Sequence, residues 1–235
     1  MHKNINDVFV FSQARLNSQR LPQKMIRNFC GTTLWDLICR KLEQIDLPVT
    51  QKWVSVHEDE LYDIAQKYKI SIYRRSYESA NSDLDVARIW EICSHIPFKY
   101  YCFFNPCLPF LRLDTMQEFI DNYVHSDYRS MFGVIPMKNY FWNEEGDLFF
   151  PKGIKLMESK SCPQTYVAAH AVYGGLTEDI RKGVQLGSFT KDDPALFMME
   201  NKIECLDIDD QKDWDIACAV WRYYRDKFFE EGFGY

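Results

Sequence analysis

Basic residues are in the minority in this chain: 28 Lys and Arg stand against 34 Asp and Glu in 235 residues, a net charge of -6. Such a surface does not displace counterions from a nucleic-acid backbone, which argues against general DNA or RNA binding. No stretch approaches the ~20 apolar residues of a membrane span. Neither a Walker A nor a G-x-G-x-x-G motif occurs, so P-loop ATP hydrolysis and dinucleotide binding are disfavoured. The cysteines (Cys30, Cys39, Cys93, Cys102, Cys107, Cys162, Cys205 and Cys218) form no C-x-x-C pair, which disfavours zinc. Several lie in apolar runs, as reduced thiols of an intracellular protein do. His2, Lys3 and Asp7 precede a run too short for a signal-peptide core. A cytoplasmic protein is therefore expected.

What is present is enough apolar and aromatic residues for a large core, in one domain spanning 1–235. Val8 to Phe11 reads as a buried strand, followed by a helix from Leu34 to Ile45 with Leu34, Leu37, Ile38, Leu42 and Ile45 on one face. Trp53–Val56, Ile70–Tyr73 and Tyr100–Phe104 read as further strands. Leu61, Ile64, Ala65 and Tyr68 mark a helix between the first two, and Val86, Ile89, Trp90 and Cys93 mark another before the third. Thr115 to Glu118 reads as a capping box opening a helix that turns Met116, Phe119, Ile120 and Tyr123 inward. This alternation predicts an α/β fold, a mostly parallel sheet covered on both faces, with ligands at the carboxyl ends of its strands.

The pattern changes after about residue 129. Met131–Met137 reads as a strand, and Tyr140 to Phe150 as an aromatic hairpin around Asn143-Glu144-Glu145-Gly146-Asp147. A β-rich flap is expected at about 136–175. His170–Tyr173 and Ile203–Ile208 read as two more strands, and Trp214, Ala217, Trp221, Tyr224 and Phe228 mark a last helix.

Two polar segments carry chemistry. Gln13 to Lys24 places Arg15, Arg20, Lys24 and the Ser18 hydroxyl between the first strand and the first helix, where α/β proteins bind phosphates. Arg offers a planar fork to phosphate oxygens, Lys a mobile point charge, and Pro22 restricts the loop. Near the other end, Asp207 and Asp209 are two apart at an expected strand end and share a face. Converging carboxylates repel unless a cation sits between them, and Mg²⁺ bridges one or two carboxylates to substrate phosphates. Asp210, Asp213 and Asp215 read instead as punctuation of the last helix.

The order A-R-x-x-S-x-x-L-P-x-K from Ala14 to Lys24 resembles the N-terminal signature of the cytidylyltransferases that make CMP-activated acidic sugars, the acylneuraminate and Kdo enzymes. Asp207-Ile208-Asp209, followed by Asp213-Trp214 and Ala217, is similar to the C-terminal motif of that family. The resemblance implies a three-layer α/β/α sandwich of nucleotidyltransferase (Rossmann-like) type. It implies a CTP triphosphate held by Arg15, Ser18 and Lys24, with Arg20 matching the Kdo-type S-x-R-L-P loop, and Mg²⁺ held by Asp207 and Asp209. Arg15, Lys24 and Asp209 are the residues it assigns to catalysis.

In the middle, Asn105-Pro106-Cys107-Leu108-Pro109 resembles the Q-P-T-S-P-L segment whose glutamine touches the sugar; Asn105 keeps an amide, while Cys107 and Leu108 replace hydroxyl residues. Arg75 and Ser82 weakly resemble the segment that contacts cytidine. The segment 160–166 aligns with the sugar-carboxylate region, where Lys155 and Lys160 stand in place of two arginines. His170 reads either as a core histidine or as a substrate-pocket residue.

The implied function is activation of an acidic sugar, a nonulosonate or Kdo-like, as its CMP derivative with release of pyrophosphate. Its product would feed capsule, lipopolysaccharide or glycan synthesis. A cytidylyltransferase for a non-sugar acid (a phosphonate or phosphorylated small molecule) and a metal-dependent nucleotide-sugar glycosyltransferase are the alternatives. The aromatic hairpin and the resemblance together imply a homodimer.

Overall fold

The structure is a computed structural model that describes residues 3–149 and 158–230, the last six as backbone only. Phe150, Lys155 and the side chain of Phe228 lie outside the described residues. The chain runs β1 (Val8–Gln13), α1 (Leu34–Gln44), β2 (Lys52–Val56), α2 (Asp59–Ala65), β3 (Ser71–Arg74), α3 (Tyr77–Ala80), α4 (Val86–Ile89), α5 (Ile92–His95) and β4 (Tyr100–Phe104). It continues α6 (Leu113–His125), β5 (Met131–Met137), β6 (Thr165–Leu176), α7 (Thr177–Arg181), β7 (Ala195–Met198) and α8 (Gln211–Glu230).

The strands form one sheet in the order β3-β2-β1-β4-β6-β5-β7. All neighbours are parallel except β6, which runs antiparallel to β4 and β5. Successive side chains of a strand point to opposite faces, so β1 feeds two cores. Val8 and Val10 pack with Leu37 of α1, Phe119 of α6 and Trp214 of α8. Phe9 and Phe11 pack on the other face with Trp90, Ile92 of α5 and Ile180 of α7. The result is the expected mostly parallel sheet between two helical layers. Among the described residues no helix is long and apolar enough to cross a membrane.

Four local expectations are corrected. The segment 203–208 is not a strand: Ile203 N–H goes to the Asn201 side chain, and Glu204, Cys205 and Leu206 donate to carbonyls three residues back. An asparagine that engages the following backbone diverts it from a ladder. The strand at that edge is β7, whose Ala-Leu-Phe-Met carries no β-branched residue to mark it. Second, α6 begins at Leu113 after Arg112, whose N–H donates to Glu204 at 3.1 Å, so Thr115 lies inside the first turn. Third, the helix expected around Val86 to Cys93 is α4 and α5, interrupted at Trp90 (ψ 42°), whose indole fills the Phe11–Phe103 core. Fourth, the second half of β6 lies within the sheet between β4 and β5, so the excursion expected as a flap falls between β5 and β6; in it Trp142 bridges Leu148.

Two features of this architecture position the site. Lys41 of α1, fully buried, donates to the Pro109 carbonyl at 2.6 Å and so ties the segment after β4 to the helical layer. Burial lowers its pKa to about 7 against the opposing pull of Glu204. In β6, Tyr173 pairs with Phe132 but Ala168 pairs with Val134, so five steps along β6 match two along β5. The bulge holds His170 at φ 51°, a left-handed conformation uncommon outside glycine.

Candidate active site

A cavity of about 550 Å³ opens at the carboxyl ends of β1, β3 and β4. Parallel strands that diverge to helices on opposite faces leave such a crevice. The Gln13–Lys24 loop forms one wall, the α3–α4 region a second, and Asn105 to Cys107 with Asp209 a third. Arg15, Ser18, Arg20, Lys24, Arg75, Ser82, Asn105 and Asp209 all line it.

Lys24 is the junction. Its ammonium donates to the Ile208 carbonyl at 2.6 Å and lies 3.5 Å from Asp209 Oδ1. Burial opposes its charge, but Cys107, Asp209 and Asp207 outweigh burial and hold its pKa above the ordinary lysine value. Burial pushes the Cys107 thiol up to about 11 against the opposing pull of Lys24. Arg20, largely exposed, adds a second cation to Asp209 at 2.9 Å.

Arg15 reaches across the cavity to the α3–α4 loop. It donates to the carbonyls of Ala80 (3.3 Å) and Ser82 (3.5 Å) and pairs with Asp83 at 2.5 Å. Arg75 is buried and donates to the Ala14 carbonyl at 2.5 Å, which steadies the base of the loop. Burial draws its pKa down to about 10, with Glu58 acting in the opposite sense. Glu58 in turn accepts from Leu16 N–H at 2.8 Å. Glu58 and Asp83 thus brace the loop, yet nothing in the sequence distinguished them from other surface acids.

On the acidic side, Ile208 N–H donates to the Cys107 carbonyl, which carries the 207–209 segment to the mouth of β4. Asp210 accepts from Lys212 and Asp213 N–H while Asp213 accepts from Asp209 and Asp210 N–H, so these two acids cap α8. Asp207 lies just behind the cavity wall. Asn105 Nδ2 donates to the His170 carbonyl at 3.0 Å and lies 3.5 Å from Asp207 Oδ2, while Asn105 Oδ1 accepts from Cys107 N–H. Burial first, and Asp209 second, raise the Asp207 carboxyl to about 6. His170 is exposed rather than interior, and its Nδ1 is 3.1 Å from the Tyr173 hydroxyl. Lys160 sits exposed on the turn Ser159–Ser161 and does not line the cavity.

The donor set fits a hard cation. Asp207 Oδ1, behind the wall that carries Asp209, is buried and has no hydrogen-bond partner. Among the described residues no cluster of three His, Cys, Asp or Glu side chains forms a closed cage. Two carboxylates with an unused oxygen suit an ion that completes its shell with substrate phosphates and water.

A cavity that gathers Arg15, Arg20, Arg75 and Lys24 around Asp209, at the carboxyl edge of a mostly parallel sheet between helical layers, defines a protein of nucleotidyltransferase type. The family model for cytidylyltransferases matches residues 10–148, more than half of the chain. The chain belongs to the cytidylyltransferase family. It is 24% identical over 209 residues to N-acylneuraminate cytidylyltransferase B of Danio rerio, which covers 87% of this chain and 49% of that protein. The chain thus spans about half the length of that curated relative. Among solved structures it is similar in fold to CMP:2-keto-3-deoxy-manno-octonic acid synthetase complexed with CTP, with a TM-score of 0.63 and 11% identity over 92% of this chain and 98% of that one. It is likewise similar to a cytidylyltransferase from Leptospira borgpetersenii, with a TM-score of 0.58 and 16% identity over 92% and 87%.

Proposed function

We propose that the protein transfers CMP from CTP to a small acidic acceptor, with an acidic sugar of the nonulosonate or Kdo class as the first choice. An acceptor hydroxyl oxygen attacks the α-phosphorus, a P–O bond forms, and pyrophosphate leaves. The observation that carries this reading is the convergence of Lys24 and Asp209 within one cavity that also holds Arg15 and Ser18. In-line transfer needs a charged cradle and an oriented nucleophile more than covalent chemistry.

Arg15, Ser18, Arg20 and Lys24 are assigned to the triphosphate, and Arg75 and Ser82 to the nucleoside wall. Asp207 and Asp209 would hold Mg²⁺, which supplies charge neutralisation at the α-phosphate and the departing pyrophosphate. Asp209 also faces the cavity as the group to receive the acceptor's proton. Asn105 orients the acceptor and His170 flanks it. Lys160 reaches an acceptor only if the segment before β6 serves another copy of the chain. A homodimer is part of the same reading, supported by the exposed rings of Trp142 and Phe149 on the excursion.

A second acceptor class, a phosphonate or other non-sugar acid, is the alternative reading. Among the described residues the cations that line the cavity, Arg15, Arg20, Arg75 and Lys24, come from the nucleotide side, so no arginine pair on the Asn105 wall marks a sugar carboxylate. Pyrophosphate release from each of the four nucleoside triphosphates, against a panel of acidic sugars and phosphonates, tests both. Turnover with CTP and an acidic sugar supports the first reading. CTP turnover with phosphonates alone moves the acceptor to the second, and turnover with UTP in place of CTP overturns the base assignment.

A further inference from the structure

The chain that leaves the phosphate loop is fastened to α8 by aromatic contacts. Phe29 meets Trp214 and Trp221 edge-on, with centroids 5.4 and 5.2 Å apart, and the Arg27 guanidinium lies 4.9 Å over Trp214. Phe29 pairs with Thr32 across a tight turn that puts Cys30 at φ 52°. That conformation turns the Cys30 side chain onto α8. Its thiol donates to the Cys218 carbonyl at 3.9 Å, which brings it to the residue that carries the second thiol. Both are free thiols, Cys218 buried and Cys30 half-buried.

We propose that Cys30 and Cys218 form a reversible disulfide that fastens the end of the phosphate loop to α8. The pairing goes beyond the nucleotidyl-transfer reading and does not depend on it. The oxidant is a small-molecule disulfide such as glutathione disulfide. Cys30, the accessible partner, attacks as its thiolate and releases one glutathione, leaving a mixed disulfide. Cys218 then gives up its proton and attacks the Cys30 sulfur, releasing the second glutathione. One S–S bond is broken in the oxidant and one formed in the protein, and the two protein thiol protons are balanced by two glutathione thiols.

The order of attack follows from the surroundings. Burial, with the neighbouring Cys30 thiol, pushes Cys218 up to about 11, so it is a poor first nucleophile but a well-placed second one. Cys39, Cys93 and Cys102 are buried, and burial raises all three, which keeps them out of exchange. The bridge would span 188 residues of sequence beside the Lys24–Ile208 contact that joins the same two parts of the chain. It would therefore restrain the unfolded chain strongly.

The test equilibrates the full chain in glutathione buffers stepped from reducing to oxidising, blocks free thiols by alkylation, and maps peptides by mass spectrometry. Cys30→Ser and Cys205→Ser are treated alongside. The expected result is a linked Cys30–Cys218 peptide in wild type and Cys205→Ser, absent from Cys30→Ser and reversed by dithiothreitol. It should be accompanied by a melting temperature at least ~5 °C above that of the reduced protein. Separate alkylation of both thiols at the oxidising limit overturns the proposal. So does a stable glutathione adduct on Cys30, or a linkage to any other cysteine. A linked peptide without a rise in melting temperature overturns the fastening role.

Discussion

Lys24 and Ile208, 184 residues apart in sequence, meet through a 2.6 Å hydrogen bond from the lysine ammonium to the isoleucine carbonyl. That one contact brings the cation-rich loop after β1 against the acidic segment before α8. Asp209 lies 3.5 Å from the same ammonium, so cation and carboxylate meet in one ion pair at the cavity wall. Because the Lys24 side chain is only 11% exposed, it is held in that position rather than sampling solvent.

Lys24→Ala should lower turnover by at least ~100-fold, since a cation facing developing phosphate charge acts chiefly in the transition state. The fold should survive with a loss of ~1–3 kcal/mol for the charged hydrogen bond. Pyrophosphate release and thermal melting on the same preparation check both parts.

The ionised form of Asp207 costs stability. Its folded pKa of about 6 lies above the ordinary value of 3.8, so the native state holds this proton more tightly than the unfolded chain does. Below pH ~4 the group is protonated in both states and carries no penalty. As pH rises from about 4 to 6 stability falls, and above 6 the full penalty, at most about 3 kcal/mol, persists. In chelator and without nucleotide, Asp207→Asn should therefore melt above wild type at pH 7.5, with the difference vanishing near pH 4. Its turnover should fall by at least ~100-fold. Parallel melts across that pH range decide the matter.

His170 occupies a left-handed conformation at the β6 bulge. His170→Gly should melt no lower than wild type, because glycine adopts that region freely. His170→Val should lose ~1–2 kcal/mol, since a branched side chain suffers most there. If the imidazole flanks the acceptor, both variants should raise the acceptor KM while leaving the KM for CTP within about twofold. Steady-state kinetics on the two substrates separates the backbone effect from the side-chain effect.

Trp142 and Phe149 stand 58% and 69% exposed. On the proposed homodimer, the double change Trp142→Ser with Phe149→Ser should shift the protein to monomer without altering its circular dichroism, because neither ring belongs to either core. Light scattering at matched concentration reports the outcome.

The sheet and its layers were legible because β1, β2 and β4 are apolar runs separated by helices of strong periodicity, such as α1 with Leu34, Leu37, Ile38 and Leu42 inward. The candidate site was legible at its ends, where residue type and order are distinctive. It was illegible where the backbone does the work. The turn at 203–208 depends on one side chain, Asn201, and β7 carries no β-branched residue to mark it as a strand. Helix α3 spans four residues, below the length at which an amphipathic pattern can be read, and the single pattern over Val86 to Cys93 is split at Trp90 into α4 and α5. Glu58 and Asp83 brace the loop only through distant contacts. The exposure of His170 arises from a bulge whose register is fixed by two neighbouring strands, which no local window contains.

The most direct measurement is a double-mutant cycle on kcat/KM for CTP with Lys24→Ala and Asp209→Asn. If both side chains act on the same bound nucleotide, their effects are coupled, and the double variant should lose no more than ~10-fold beyond the worse single variant. Losses that multiply in full, at least ~10⁴-fold where each alone costs about 100-fold, would show that the two ends of the chain act independently and would contradict the account.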